Sequence, residues 1–423
     1  MNDKIGLLAP LLAVVVLLAS SGVSRAQDDD PFKALNKSFD ERSSGLNRGF
    51  DRNVAAMEKA WDAEEKRIER EWAKFKAEVE EKWPTFVGPT KKVWVDYEEK
   101  EKETRSQVDF EKGKVIVEVV VPLKEEPKAE EPKVVAPKVE EPKVVAPKVE
   151  EPKVVVAKRE EKTEDEIVEE AKPKIEMQLR KILSEDRETG QSVLADQIET
   201  KEGEAVDDVN IDNYIQKDVL AKARVAGKPF RAGDGVRRVK VQVEIPLIPD
   251  HIRVRAEKYE STVNKYAKEY DMDPRLIFAV TETESYFNPK AKSHAGAYGL
   301  MQLIPRHGAR AAYKYIHGKD MLLTPEELYK PEMNVKLGGA YLKLLRDRHY
   351  KNVTDETKRR YLSIASYNWG PGAVQRKIVK RCDVDGMSRK QLYKFIRKNS
   401  PKETSNYLKR VTERMPKYQR LSR

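Results

Sequence analysis

Apolar positions change period several times along this 423-residue chain. Leu46, Phe50, Val54, Met57, Trp61, Ile68, Trp72, Phe75 and Val79 fall at helical spacing and predict a long amphipathic helix, or a pair, over residues 32–82, ended by Pro84. Such a stripe normally packs in a core or on a partner helix. The period then drops to two. Val93, Val95 and Tyr97 alternate, and the runs 107–110 and 115–121 flank Glu111-Lys112-Gly113, a hairpin with glycine in its turn. Helical spacing returns from Glu164 to about Glu188 through Ile167, Ile175, Leu179, Ile182 and Leu183. Residues 201–210 are polar and read as a loop, and Val239, Val241, Val243 and Ile245 form a strictly alternating strand. Helix, hairpin, helix and strand make a small α+β unit.

A segment without either period splits that unit. Residues 125–157 repeat Glu-Glu-Pro-Lys-Val-Val-Ala-Pro-Lys-Val, and frequent proline among alternating charges favours an extended coil. At about 3.1 Å per residue its reach is on the order of 100 Å. It is similar to the Glu-Pro/Lys-Pro spans of energy-coupling proteins that cross the periplasm. A solvated loop or an arm for other envelope proteins, spanning 123–162, are the two readings. At the start of the chain, Lys4, the apolar run Leu7–Ala19 and the small residues of Ser24-Arg25-Ala26 predict an export signal at 1–26, cleaved before Gln27. No cysteine lies near it, so no lipid anchor is expected. The alternative is a retained signal that anchors the chain. The only cysteine, Cys382, cannot form an intrachain disulfide and reads as a bystander.

A further helix is predicted from Asp273, a good N-cap, with Pro274 at its first position. Ile277, Val280, Glu284 and Phe287 share one face of it. A glutamate in an apolar stripe is costly unless it is protonated or paired, and a carboxylic acid kept neutral near pH 7 is what a general acid requires. The alternative is a helix-end glutamate that only grazes the core.

Charged residues make up 36% of the chain, so it is not one dense core. Residues 251–423 hold 37 Lys+Arg against 18 Asp+Glu, a net charge of +19, while the rest of the chain is net acidic. A basic region suits an anionic partner, but no nucleic-acid motif accompanies it and aromatic residues do not interleave with the basic runs. His294, His307, His317 and His349 lack metal-ligand spacing, so no metal or cofactor is expected.

Glu284-Ser285, Phe287-Asn288-Pro289, Ser293, Gly296-Ala297 and Gly299-Leu300-Met301-Gln302 resemble the opening block of the soluble lytic transglycosylase domain, a lysozyme-like fold acting on peptidoglycan. The match continues through Asn334-Val335, Gly338-Gly339-Ala340-Tyr341-Leu342, Ala365-Ser366-Tyr367-Asn368-Trp369-Gly370-Pro371-Gly372, and Pro401, Glu403-Thr404 and Tyr407. These blocks keep the family's order over roughly residues 255–415. The segment 32–82 resembles the N-terminal domain of membrane-bound lytic murein transglycosylases. The resemblance implies a mainly α protein: a lysozyme-like catalytic domain at 251–423, preceded by the α+β accessory domain at 27–250. It implies a periplasmic enzyme without cofactor, with peptidoglycan glycan strands as its partner. Glu284 would protonate the bond between N-acetylmuramic acid and N-acetylglucosamine, then accept the proton of the muramyl C6 hydroxyl as a 1,6-anhydro ring closes. Ser293 and Gln302 would bind sugar oxygens or N-acetyl groups. Tyr367 and Asn368 would sit opposite Glu284, with the Tyr367 hydroxyl orienting carboxylate or substrate. Glu403 and Tyr407 would line the far wall, with Glu403 a candidate second buried acid. Some members carry methionine where this chain has Ile304. Most glycosidases flank the bond with two carboxylates, whereas Glu282 lies near the opposite side of the helix from Glu284. A goose-type lysozyme-like hydrolase and a non-catalytic wall-binding scaffold are the rival readings.

Overall fold

The computed structural model describes residues 31–123, 162–184 and 192–422. The export signal and the 125–157 repeat expected from the sequence lie outside these residues. The chain divides into two compact units, Met1–Lys59 and Ala60–Arg423. In the first, residues from Pro31 on are helical.

The N-terminal half contributes helix α1 (Pro31–Glu80), strands β1 (Val93–Tyr97), β2 (Thr104–Asp109) and β3 (Lys114–Pro122), helices α2 (Glu164–Ser184) and α3 (Ile211–Tyr214), and strands β4 (Arg224–Arg231) and β5 (Arg237–Pro246). The strands form one antiparallel sheet in the order β1-β2-β3-β5-β4. The β2–β3 turn closes through Gly113 at φ 64°, where glycine carries no Cβ penalty. Register places Val115, Val117, Val119 and Val121 of β3 opposite Ile245, Val243, Val241 and Val239 of β5. All eight are buried, and α2 covers them with Ile167, Ala171, Ile175, Leu179 and Ile182. On the other face Val79, near the end of α1, packs with Trp83, Tyr97 and Val120. β4 carries no alternating burial and contains Gly227 and Pro229, the composition of an edge strand, which is why its period is silent in the sequence.

The C-terminal half is helical: α4 (His251–Glu257), α5 (Glu260–Glu269), α6 (Pro274–Ser285), α7 (Arg310–His317), α8 (Pro325–Tyr329), α9 (Pro331–Leu344), α10 (Glu356–Trp369), α11 (Pro371–Lys377), α12 (Arg389–Asn399) and α13 (Lys402–Arg414). The molecule is thus mainly α, a helical region following a small α+β region. α6 runs through the middle of the helical core and packs on α5, α9 and α13. Its burial corrects the single-stripe reading, because every residue from Leu276 to Ser285 is buried. The two threonines are accommodated by bonding back to the helix: Thr281 Oγ1 donates to Ile277 O at 2.8 Å and Thr283 Oγ1 to Ala279 O at 2.7 Å. At the junction of the two cores, Arg255 of α4 is 1% exposed and donates to Phe110 O (3.0 Å), Tyr286 O (3.0 Å) and Gln197 Oε1 (2.7 Å).

Candidate active site

Helix α6 ends at the site. The Asp273 side chain accepts from Arg275 N at 3.0 Å and Pro274 occupies the first turn, so the helix starts where its caps require. It stops at Tyr286 and Phe287, both left-handed at φ 53° and 61°. Glu284 therefore sits in the last turn, with only 6% of its surface exposed. Ser285 is turned inward, its hydroxyl donating to Leu300 O at 2.6 Å, which ties the helix to the following loop.

Burial raises the Glu284 carboxyl above its ordinary range, and the nearby Glu403 charge pushes the same way. The opposing influences are Lys91, from the segment joining α1 to β1, whose Nζ lies 3.2 Å from Glu284 Oε2, and then the Tyr407 hydroxyl. The net direction is upward. The phenols of Tyr407 and Tyr367 are both held well above their usual value by burial and then by the Glu284 charge. The Tyr407 hydroxyl is buried and makes no hydrogen bond of ordinary geometry among the described residues, so it acts on Glu284 as a neighbouring dipole. The Tyr367 hydroxyl donates to Met301 O at 2.9 Å, so of its two expected aims, carboxylate or substrate, its proton serves neither directly.

The loop over the site hangs on one side chain. Asn334 of α9 is fully buried, accepts from Met301 N at 2.7 Å and donates to Tyr298 O at 2.9 Å and Leu328 O at 2.6 Å. Gly299, at φ 76°, allows this approach, since a Cβ there would collide with Asn334 and Leu328 O. Gly338 likewise leaves room for the Met301 side chain. Gln302 donates to Ala291 O (3.0 Å) and Gly299 O (3.1 Å), and its Oε1 is buried without a partner among the described residues. Ser293 accepts from Ala297 N at 3.0 Å within a tight turn. Asn368 accepts from Thr404 Oγ1 at 2.7 Å and approaches Glu403 Oε1 at 3.4 Å. Glu403 itself is exposed, which corrects the expectation of a second buried acid there. The second buried acid is Glu282, 1% exposed and directed away from Glu284 onto Tyr418 Oη (2.7 Å), Arg414 Nε (3.1 Å) and Lys417 Nζ (3.5 Å).

A cavity of about 660 Å³ opens beside the Ser293 turn. Trp61, Ile68 and Trp72 of α1 and Phe86 form one wall, and Ser293, His294, Tyr298 and Ile304 the other. Lys292 Nζ lies 4.9 Å from the Trp72 ring, and Arg306 pairs with Asp62 and with Glu65 (3.3 Å) across one end. The α1 stripe is therefore only partly core: Trp72 is 37% exposed. Its signal in the sequence was the size of those aromatics. Lys91 had no signal among so many lysines. Among the described residues no cluster of acidic, histidine and cysteine side chains could hold a metal ion.

Residues 261–387, within the helical region, match the family described as Transglycosylase SLT domain. The chain is similar to membrane-bound lytic murein transglycosylase C of Glaesserella parasuis, 32% identical over 233 residues, which are 53% of this chain and 62% of that one. It is also 36% identical over 187 residues to the protein of that name from Actinobacillus pleuropneumoniae, covering 43% of this chain and 51% of that one. The chain thus spans about half to three-fifths of the curated relatives it matches. Among solved structures, the 70 kDa soluble lytic transglycosylase of Escherichia coli is 27% identical over 40% of this chain and 26% of its own, with a TM-score of 0.32. An inactive mutant of the lytic transglycosylase Slt of Pseudomonas aeruginosa is 29% identical over 38% and 24% of the two chains, also with a TM-score of 0.32.

Proposed function

We propose that the protein is a peptidoglycan lytic transglycosylase of the cell envelope, with residues 251–423 as catalytic domain and residues 27–250 as accessory domain. The observation that carries this is Glu284, a buried carboxyl with raised proton affinity at the end of α6, in a domain of the SLT family. A group in such a setting can donate a proton to a glycosidic oxygen and then accept one. In the reaction, Glu284 protonates the oxygen leaving N-acetylmuramic acid as the C1–O bond breaks. The resulting carboxylate takes the proton of the muramyl C6 hydroxyl while O6 bonds to C1. The proton lent in the first step is regained in the second, and no water is consumed. Glu282 is bound to Tyr418, Arg414 and Lys417 and is unavailable as a second carboxylate, which favours one group acting twice. Ser293, Gln302, Tyr367, Asn368, Glu403 and Tyr407 are the substrate-binding candidates. Gln302 supports this best, because its buried Oε1 is an acceptor awaiting a donor. Tyr367 also holds the loop through Met301.

The test is a digest of purified sacculi analysed by mass spectrometry. Anhydromuramyl ends are expected, whereas reducing ends would mark a hydrolase. Glu284→Gln keeps the side-chain volume but can neither give nor take the proton, so turnover falls on the order of 10²–10⁴-fold. Retention of more than about a tenth of wild-type turnover would contradict the assignment, because losing an acid–base group removes far more than that.

A further inference from the structure

The catalytic carboxyl of the helical region is contacted by a cation from the sheet region. Lys91 and Glu284 are 193 residues apart in sequence, yet their charged atoms lie 3.2 Å apart. Glu284 is the buried partner, with a side chain 7% exposed, while Lys91 is 39% exposed at the mouth. The lysine is held there by its backbone. Thr90 Oγ1 accepts from Val93 N at 3.1 Å and from Lys92 N at 3.3 Å, a Ser/Thr turn that fixes the residue between them. Phe110 N donates to Lys92 O at 2.9 Å, so the turn is sewn to the β2–β3 hairpin, beside the Arg255 junction. The preceding residues Gly88, Pro89 and Thr90 line the cavity next to the site.

The other groups facing Glu284 do not take this role. Glu403 on α13 is a like charge, and Tyr407 on α13 and Tyr367 on α10 carry phenols that stay neutral. Lys91 is the cation that acts directly on Glu284 among the described residues. A glycan whose scissile oxygen reaches Glu284 Oε2 has to occupy the place where the ammonium now sits.

We propose that Lys91 is a positioning residue: it pairs with the Glu284 carboxyl and favours its ionised form while the cleft is empty, and is displaced by an entering glycan strand, which restores to Glu284 the full proton affinity that its buried setting gives it. This rests on the reading of Glu284 as the acid. In the empty site the ammonium favours the carboxylate, since an opposite charge at such a distance stabilises the ionised form. Once substrate has displaced the ammonium and excluded water, burial and the Glu403 charge are opposed only by the Tyr407 dipole, and the protonated form of Glu284 gains.

The test has one arm that needs no activity. The Glu284 carboxyl is titrated in the substrate-free full chain by difference infrared spectroscopy against Glu284→Gln, in wild type, Lys91→Met and Lys91→Arg. Lys91→Met is expected to move the titration upward by on the order of one pH unit, the lower end for removing an adjacent opposite charge, because Lys91 is partly solvated. Lys91→Arg restores the wild-type midpoint. The alkaline limb of kcat/KM on sacculi, which reports the acid in the free enzyme, is expected to move in the same direction and to return in Lys91→Arg. An unchanged Glu284 midpoint in Lys91→Met, or a shift that arginine does not reverse, overturns the proposal. A lysine that merely pinned the two regions together would lower the melting temperature and leave both titrations in place. If Glu284→Gln proves as active as wild type, it is the acid assignment that fails, and the infrared arm still reads the Lys91 contact.

Discussion

At the scale of single residues, the site depends as much on side chains that never meet substrate as on those that do. Ser285 beside the acid is spent on Leu300 O, and Asn334 holds three backbone groups of the covering loop. Both belong to the blocks that resemble the family, and both are structural. Asn334→Ala would leave Met301 N, Tyr298 O and Leu328 O buried without that partner. An orphaned buried group costs about 1–3 kcal/mol. Tyr298 O keeps its bond from Leu303 N, so two groups are orphaned, and a loss of roughly 2 kcal/mol or more is expected in urea unfolding, together with weaker activity as the loop that carries Gln302 loosens. A loss below about 1 kcal/mol would show that the loop does not hang on this residue, since that is less than one orphaned group.

At the scale of elements, the short helix α4 does more than link the two cores. Its Arg255 reaches both, and its His251 ring lies 2.9 Å from Arg255 through Nδ1. Burial, and then the Arg255 charge, lower the His251 pKa from the ordinary 6.5 to about 4. A histidine depressed in the folded state binds protons more readily when unfolded. Its contribution is complete above about 6.5 and is lost as the pH falls toward about 4, where both states are protonated. Comparing wild type with His251→Gln cancels the other titrating groups. The wild type is expected to lose stability relative to the variant across that window, as read by thermal unfolding at a series of pH values. Parallel curves for the two proteins would show that His251 protonates freely in the fold.

At the scale of the whole molecule, the 125–157 repeat interrupts a unit whose flanking ends lie near one another. Lys162 Nζ donates to Pro122 O at 3.3 Å, so the chain leaves and re-enters the sheet region within a lysine side chain's reach. Replacing the repeat by a short Gly-Ser linker is expected to leave folding and activity on soluble glycan close to wild type, because closing a short flexible loop carries a small entropic cost. An insoluble product, or a fall in melting temperature of more than about 5 °C, the shift that roughly 1–2 kcal/mol gives at this size, would make the repeat part of the folded unit.

What the sequence determined by itself is local. Asp273 and Pro274 set the start of α6, Gly113 the β2–β3 turn, and strict alternation the strand β5. Each signal rests on residues within a turn or a strand of one another, and steric and hydrogen-bonding rules act at that range whatever surrounds them. The carboxyl of Glu284 was legible for the same reason, as a polar residue breaking an apolar run. Tertiary structure alone decided which groups meet it. It turned Glu282 onto Tyr418, left Glu403 in solvent, and sent the Tyr367 hydroxyl to Met301 O. It also brought Lys91 to Glu284 from across the chain and set Trp72 facing the Ser293 turn. A lysine has the same local pattern on a solvated turn as at the mouth of a cleft. Only the packing of one core against the other removes water from around the carboxyl and brings the ammonium to it.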